Sequence, residues 1–323
     1  MKTVFLAGAI LSIFVSGVYG ASLEPIAFAS IAEDPSDFPT IRILVESLRT
    51  FGGKYKDASF RLYVPQSLLA AEGAGEAWKK LAVELRPFVA PVEAAWYPLA
   101  SWPYAAAKAE AEAEGRAEIL AWLGPDTVML DEPGEMILPV DAALGYRPVF
   151  HRNINPLFAE PLDGYWQRAY AVMKVREADL FTMVTPADGD AIRPYFQAGC
   201  LVVRPEKGVL RKWLEYFKSL AADTAIRAMC EKEGKQRTFT FQVALTGAVL
   251  NHLSKNEMLL FSERINYPIF FKEMFGGQRD FRDLSGVVTM RYEHFFNEPP
   301  VDWDRHLLGP AERIAWLKAH FTK

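Results

Sequence analysis

From residue 25 onward, short apolar runs alternate with longer segments whose apolar residues recur every three or four positions. The run at 25–32, PIAFASIA, is apolar throughout and predicts a central strand covered on both faces. Ile41, Leu44, Val45 and Leu48 then fall on one helical face, and Gly52-Gly53 predicts the end of that helix. Residues 58–65 predict a second strand closed by Pro65, and 75–88, GEAWKKLAVELRPF, a second amphipathic helix. A third strand is expected at 92–99, an Ala/Glu-rich helix at 104–118 and a fourth strand at 119–123. Repeated βα units of this kind predict an α/β fold with a mainly parallel mixed sheet flanked by helices. Ligands of such sheets sit at the carboxyl ends of the strands.

The second half is less regular. Helices are expected at 162–175, 207–234, 239–253 and at the end of the chain beyond Pro310. Strands are expected at 180–185, 200–205 and 286–295. No internal repeat or low-complexity tract interrupts the pattern. The N-terminus carries Lys2, an apolar run from Val4 to Val18 and small residues near Gly20 and Ala21. That pattern fits an export signal over 1–20 followed by a single domain over 21–323. The run is short for a spanning helix. An uncleaved anchor, the one route to a membrane that the sequence offers, and a buried first helix are the alternatives.

Composition narrows the function. Half of the 323 residues are hydrophobic, 24% are charged and the formal net charge is −4, with no basic block. A nucleic-acid partner, which needs clustered Lys and Arg, is therefore not expected. Aromatics at 13% leave rings to spare for stacking on sugars. Cys200 and Cys230, with no Cys-x-x-Cys, cannot build a finger-type zinc site, and two buried free thiols are expected rather than a disulfide. Neither a Gly-x-Ser-x-Gly elbow nor a phosphate-binding P-loop string occurs.

The stretch 121–133, AWLGPDTVMLDEP, predicts a strand end, a Gly-Pro turn, an aspartate and a further strand. Asp126 lies just past a carboxyl end, although Gly-Pro-Asp is also ordinary turn chemistry. About 13 Å of strand, at the usual rise, separates Asp126 from the acidic pair Asp131 and Glu132. Taken with IAFASIAED, YAAAKAEAEAE, FQAGCLVVRP and FQVALTGAVL in that order, the chain resembles the nucleotide-diphospho-sugar transferases of the glycosyltransferase type A fold over most of 25–295. In that family a string such as WLDSD holds a divalent metal against the donor diphosphate, whose charge grows as it leaves.

The resemblance implies donor-binding roles for Asp126, Lys108, Gln197, Gly199, Arg193 and Gln242. It implies acceptor contacts from Asn153, Asn155 and Trp166 in the Pro-broken segment HRNINPLFAEPLDGYW. It places Mn²⁺ or Mg²⁺ on Asp126 and His294, and makes a nucleotide-sugar and a glycan acceptor the expected partners. Gly124 stands where the family has its first carboxylate, Gln197 where it has an Asn, and no acid precedes Gln242. One aspartate and one histidine are a poor set for a hard cation. Simpler roles stand beside these: Lys108 paired with Glu112 at i+4, Asp163 as a helix cap, and Arg193 and Arg204 in surface ion pairs. Export would also separate the protein from cytoplasmic nucleotide-sugars. Two readings follow: a glycosyltransferase using Lys or Arg for the diphosphate, or an exported non-catalytic relative that binds a glycan or a protein partner through the same cleft.

Overall fold

An unbroken apolar run is satisfied as a strand only when both of its faces are covered, and all five residues of β1 (Ala27–Ile31) are buried. The computed structural model describes residues 22–71, 75–90, 92–271, 279–293, 295–297, 299 and 302–321. Among these, the main sheet runs in the order β10 (Met258–Leu260), β6 (Leu144–Pro148), β9 (Phe196–Val203), β4 (Leu120–Leu123), β1, β2 (Phe60–Pro65), β3 (Val83–Phe88). Strands β4, β1, β2 and β3 are mutually parallel. Strand β9 runs antiparallel between β4 and β6, and β10 is parallel to β6. This is the mainly parallel mixed sheet that the sequence predicts.

Alternate residues of β1 face opposite layers, as the period of a strand requires. Phe28 packs with Ile41, Leu44, Val45 and Leu48 of α1 (Asp37–Phe51) on one side. Ala27, Ala29 and Ile31 face the other side. That layer holds α4 (Ser101–Ala113), α5 (Gly164–Met173), α6 (Val209–Ala222), α7 (Thr224–Lys232) and α8 (Gly234–His252). Two short helices, α2 (Gln66–Ala71) and α3 (Gly75–Lys80), connect β2 to β3. A smaller sheet of β11 (Tyr267–Pro268), β12 (Thr289–Arg291) and β5 (Thr127–Met129) sits beyond the carboxyl end of β4. A two-stranded ribbon, β7 (Met183–Val184) with β8 (Ala191–Ile192), completes the strands described. No described helix is long and apolar enough to cross a membrane, and the N-terminal segment lies outside the described residues.

Several local expectations are corrected. The helix expected over 75–88 stops at Lys80, where Ala82 takes a left-handed φ of 53° and Val83–Phe88 becomes an edge strand. Pro87 is tolerated because β3 has only one neighbour. The strand expected at 92–99 is a 3₁₀ turn at Val92–Trp96, since β3 already occupies that edge. The helix expected over 207–234 is divided at Asp223, whose carboxylate accepts from Ala225 N and Ile226 N and caps α7. Cys200 and Cys230 are free and buried, as expected.

One buried carboxylate fastens the helical layer. Glu110, on α4, accepts from the main-chain N–H groups of Leu210 and Arg211 at the start of α6, at 3.0 and 2.8 Å. It satisfies donors that a helix cannot pair internally. Burial pushes its carboxyl up to about 7, against those hydrogen bonds and the Arg211 guanidinium. Replacing it with Ala leaves one buried and one partly buried donor without their acceptor, so Glu110→Ala is expected to cost about 2–4 kcal/mol in urea unfolding. Glu110→Gln, which keeps one acceptor, is expected to cost about half as much.

Candidate functional site

The pairing of β5 with β12 determines what faces Asp126. Thr127 stands opposite Arg291, Val128 opposite Met290 and Met129 opposite Thr289. The chain leaving β12 therefore passes directly over Asp126. Arg291 Nη2 donates to Oδ2 at 2.9 Å and is ion-paired with Oδ1 at 2.8 Å. Glu293 N donates to Oδ2 at 3.1 Å, and Tyr292 N to the Asp126 carbonyl at 3.2 Å. Three consecutive residues thus hold one aspartate. Arg291 is 8% exposed. Burial alone would lower its pKa, and the Asp126 carboxylate together with Glu293 more than reverses that.

Beside this pair lies a cavity of about 260 Å³. Its polar wall is His151, Asn153, Gln197, Lys235, Gln242 and Glu293. Its apolar wall includes Phe150, Phe239, Phe270 and Phe271. Lys235, Phe239 and Gln242 come from one face of α8, spaced four and three residues apart. Gln197 enters from the start of β9, next to the end of β4. Glu293 adopts a left-handed φ of 42°, and burial pushes its carboxyl up to about 7; Arg291 opposes that rise and Asp126 adds to it. Burial lowers His151 below the usual imidazole range, with Asp188 opposing. A second cavity of about 360 Å³ shares Asn153 and Lys235 with the first and adds Arg152, Asn155, Asp163 and Glu233.

The structure thus brings Gln197, Gln242 and Asn153 together, with Asn155 in the adjoining cavity. It separates the others. Lys108 pairs with Glu112 at 2.8 Å along α4. Trp166 is 1% exposed, donates to the Ile154 carbonyl and packs on Tyr195, so it is a core residue and not an acceptor contact. Arg193 donates to the Glu160 carbonyl and lines a different cavity with Tyr170. Arg204 likewise serves main-chain carbonyls, those of Ala142, Leu138 and Pro139. Asp163 is the cap of α5, accepting from Trp166 N. Gly199 lies inside β9 against Arg291. His294 lies outside the described residues. Asp131 and Glu132 pair with Arg313 and Lys54 rather than with the Asp126 locus.

The metal expected on Asp126 does not fit these residues. Asp126 Oδ2 already accepts two hydrogen bonds and Oδ1 is ion-paired with Arg291 at 2.8 Å, and among the described residues no group of three His, Cys, Asp or Glu is placed to hold an ion. A hard dication prefers several oxygen ligands. Arg291, Glu293 and Lys235 are the site residues that sequence reasoning missed. A signal for Arg291 existed: VVTMRY is an apolar strand, and a charge inside it requires a buried partner.

A family model described as the Rhodobacterales glycosyltransferase domain matches residues 40–252. The chain belongs to this glycosyltransferase family. The matched span carries β4, Asp126, Gln197 and Gln242 and stops before β12. No curated protein matches the sequence. Among solved structures, an active-site mutant of LgtC is 17% identical over 92% of this chain and 96% of that one, with a TM-score of 0.48. The galactosyltransferase LgtC in complex with donor and acceptor sugar analogues is also 17% identical with the same coverage and a TM-score of 0.44. Mouse xyloside xylosyltransferase 1 is 12% identical over 83% of this chain and 97% of that one, at 0.48.

In this glycosyltransferase domain the Asp126 pair is structural as well as local to the cavity. Asp126→Ala leaves a buried guanidinium without its counter-charge and is expected to destabilise by about 3–5 kcal/mol in chemical denaturation. A Cβ at Gly199 would come within 2.0 Å of Arg291 Nη1. Gly199→Ala is therefore expected to cost about 1–3 kcal/mol through the same contact.

Proposed function

We propose that this chain transfers a sugar from a nucleotide-diphosphate donor to a glycan or another hydroxyl acceptor, with the donor sugar in the cavity beside Asp126. The observation that carries this reading is the convergence of Gln197, Gln242, Asn153 and Glu293 on one cavity next to the carboxyl end of β4. Amide side chains donate and accept at once, which suits sugar hydroxyls. The flanking phenylalanines offer apolar faces for the pyranose ring. Lys235, shared by both cavities, is the cation placed to meet the diphosphate, and the second cavity, with Asn155, is the acceptor side.

The transfer forms a bond from the acceptor oxygen to the anomeric carbon and breaks the bond to the diphosphate. The acceptor proton needs a base, and the leaving group needs positive charge. Glu293, on the cavity wall with its carboxyl pushed up to about 7 by burial, is assigned the first task and Lys235 the second. Export belongs to the same proposal, supported by the apolar run between Lys2 and Gly20; N-terminal sequencing of chain recovered from outside the cytoplasm checks it, and an intact Met1 there argues for an anchor.

A carboxylate base works only when deprotonated. Its carboxyl is pushed up to about 7. Donor turnover is therefore expected to rise as pH increases through about 7 and to level off above it. Glu293→Gln is expected to lower turnover by about 10²–10⁴ and to flatten that limb. Turnover by Glu293→Gln equal to wild type removes the base assignment. Gln242→Ala is expected to weaken binding of the donor sugar by about 1–3 kcal/mol, read as the difference between nucleotide-sugar and bare nucleotide in calorimetry.

A further inference from the structure

We infer that this chain engages its nucleotide-diphosphate donor without a divalent cation, the Arg291 guanidinium standing where a cation would sit against Asp126. The inference rests on the donor reading above, in which Lys235 meets the diphosphate, and adds to it what occupies the place of a metal at Asp126.

The first support is shape. A Cβ built at Gly199 would lie 2.0 Å from Arg291 Nη1, and one built at Gly124 would lie 2.9 Å from it. Gly124 and Gly199 are neighbours across the sheet, joined by the hydrogen bond from Gly124 N to the Gly199 carbonyl. The guanidinium therefore fills a notch that exists because both positions lack side chains. Gly124 is more than a missing carboxylate: an aspartate there would compete with Arg291 for the same space.

The second support is charge. Two carboxylates around a dication sum to zero, and so does one carboxylate around a guanidinium. Exchanging the first arrangement for the second removes a ligand and a metal together and leaves the crevice in the same electrostatic balance. The third support is chemistry. Asp126 Oδ2 accepts from both Arg291 Nη2 and Glu293 N, and Oδ1 faces Nη2, so an incoming cation would have to displace these bonds. Among the described residues Arg291 Nε and Nη1 have no hydrogen-bond partner, although the residue is only 8% exposed. A guanidinium stays charged under all working conditions and needs no reorganisation when negative charge develops nearby. Arg291 is a positioning residue. It fixes Asp126 and, through it, the main chain of Glu293 on the cavity wall.

The test is calorimetric titration of the full chain with UDP, GDP, CDP and ADP, first in EDTA and then with Mn²⁺. The nucleotide that binds is expected to do so with affinities that agree within about twofold between the two conditions. Binding that requires Mn²⁺ overturns the inference and leaves the donor reading intact. Binding of none of the four in either condition overturns the donor reading, and the inference with it. Arg291→Ala supplies a readout that a merely structural role would not move. Freed of its partner, Asp126 becomes available, so the variant is expected to bind nucleotide more weakly in EDTA and to recover by about tenfold or more on adding Mn²⁺. An Arg291→Ala protein that matches wild type in EDTA overturns the inference. If that variant does not fold, the wild-type comparison decides alone.

Discussion

A guanidinium taken out of water must be neutralised where it lies, and here one carboxylate does it. Asp126 meets Arg291 through both oxygens and also holds the main chains of Tyr292 and Glu293. Breaking a pair of this kind leaves an uncompensated buried charge. The pair therefore acts as a clasp: it ties the segment after β12, late in the chain, to the carboxyl end of β4 in the first half. The small sheet of β5, β12 and β11 gives the clasp its register, and a third apolar cluster that includes Val128, Met290 and Tyr292 packs that sheet in place.

The cavity is built around this clasp. Glu293 stands on its wall because its main chain is bound to Asp126, and its carboxyl is kept from ionising easily by burial and by the same aspartate. The opposite wall is rigid for a different reason. Helix α8 buries eleven consecutive residues from Thr240 to Leu250, so the backbone that carries Gln242 to the cavity wall is held by core packing. Gln197 is fixed by the β9 ladder between β4 and β6. The cavity is thus bounded by a core helix, a central strand and a clasped loop drawn from both halves of the chain.

Much of the frame was legible in the sequence where periodicity was strong. The α1 face of Ile41, Leu44, Val45 and Leu48, the apolar β1 and the β4 end at Asp126 all stand as expected. The misses share a cause. Strand β3 is an edge with Glu84, Arg86 and Pro87, so it lacks the apolar signature of a strand, and a left-handed Ala82 gives no warning in composition. Strands β6 and β10 are short and carry a buried Arg147 or partly open positions. The resemblance named Gln197, Gln242 and Asn153, which the fold gathers on one cavity, and also Lys108, Trp166 and Arg193, which it places elsewhere. Spacing along a helix or strand does not reveal which neighbour a side chain will reach. Arg291 was hidden because its meaning comes from two glycines, Gly124 and Gly199, that lie far from it in sequence and form a notch only once β4, β9 and β12 are assembled.

Anomalous diffraction at the manganese edge, from crystals grown with Mn²⁺ and the bound nucleoside diphosphate, tests the central claim most directly. The account predicts that Arg291 remains on Asp126 and that no manganese peak appears there. A manganese ion coordinated by Asp126, with the Arg291 side chain turned away, would contradict it.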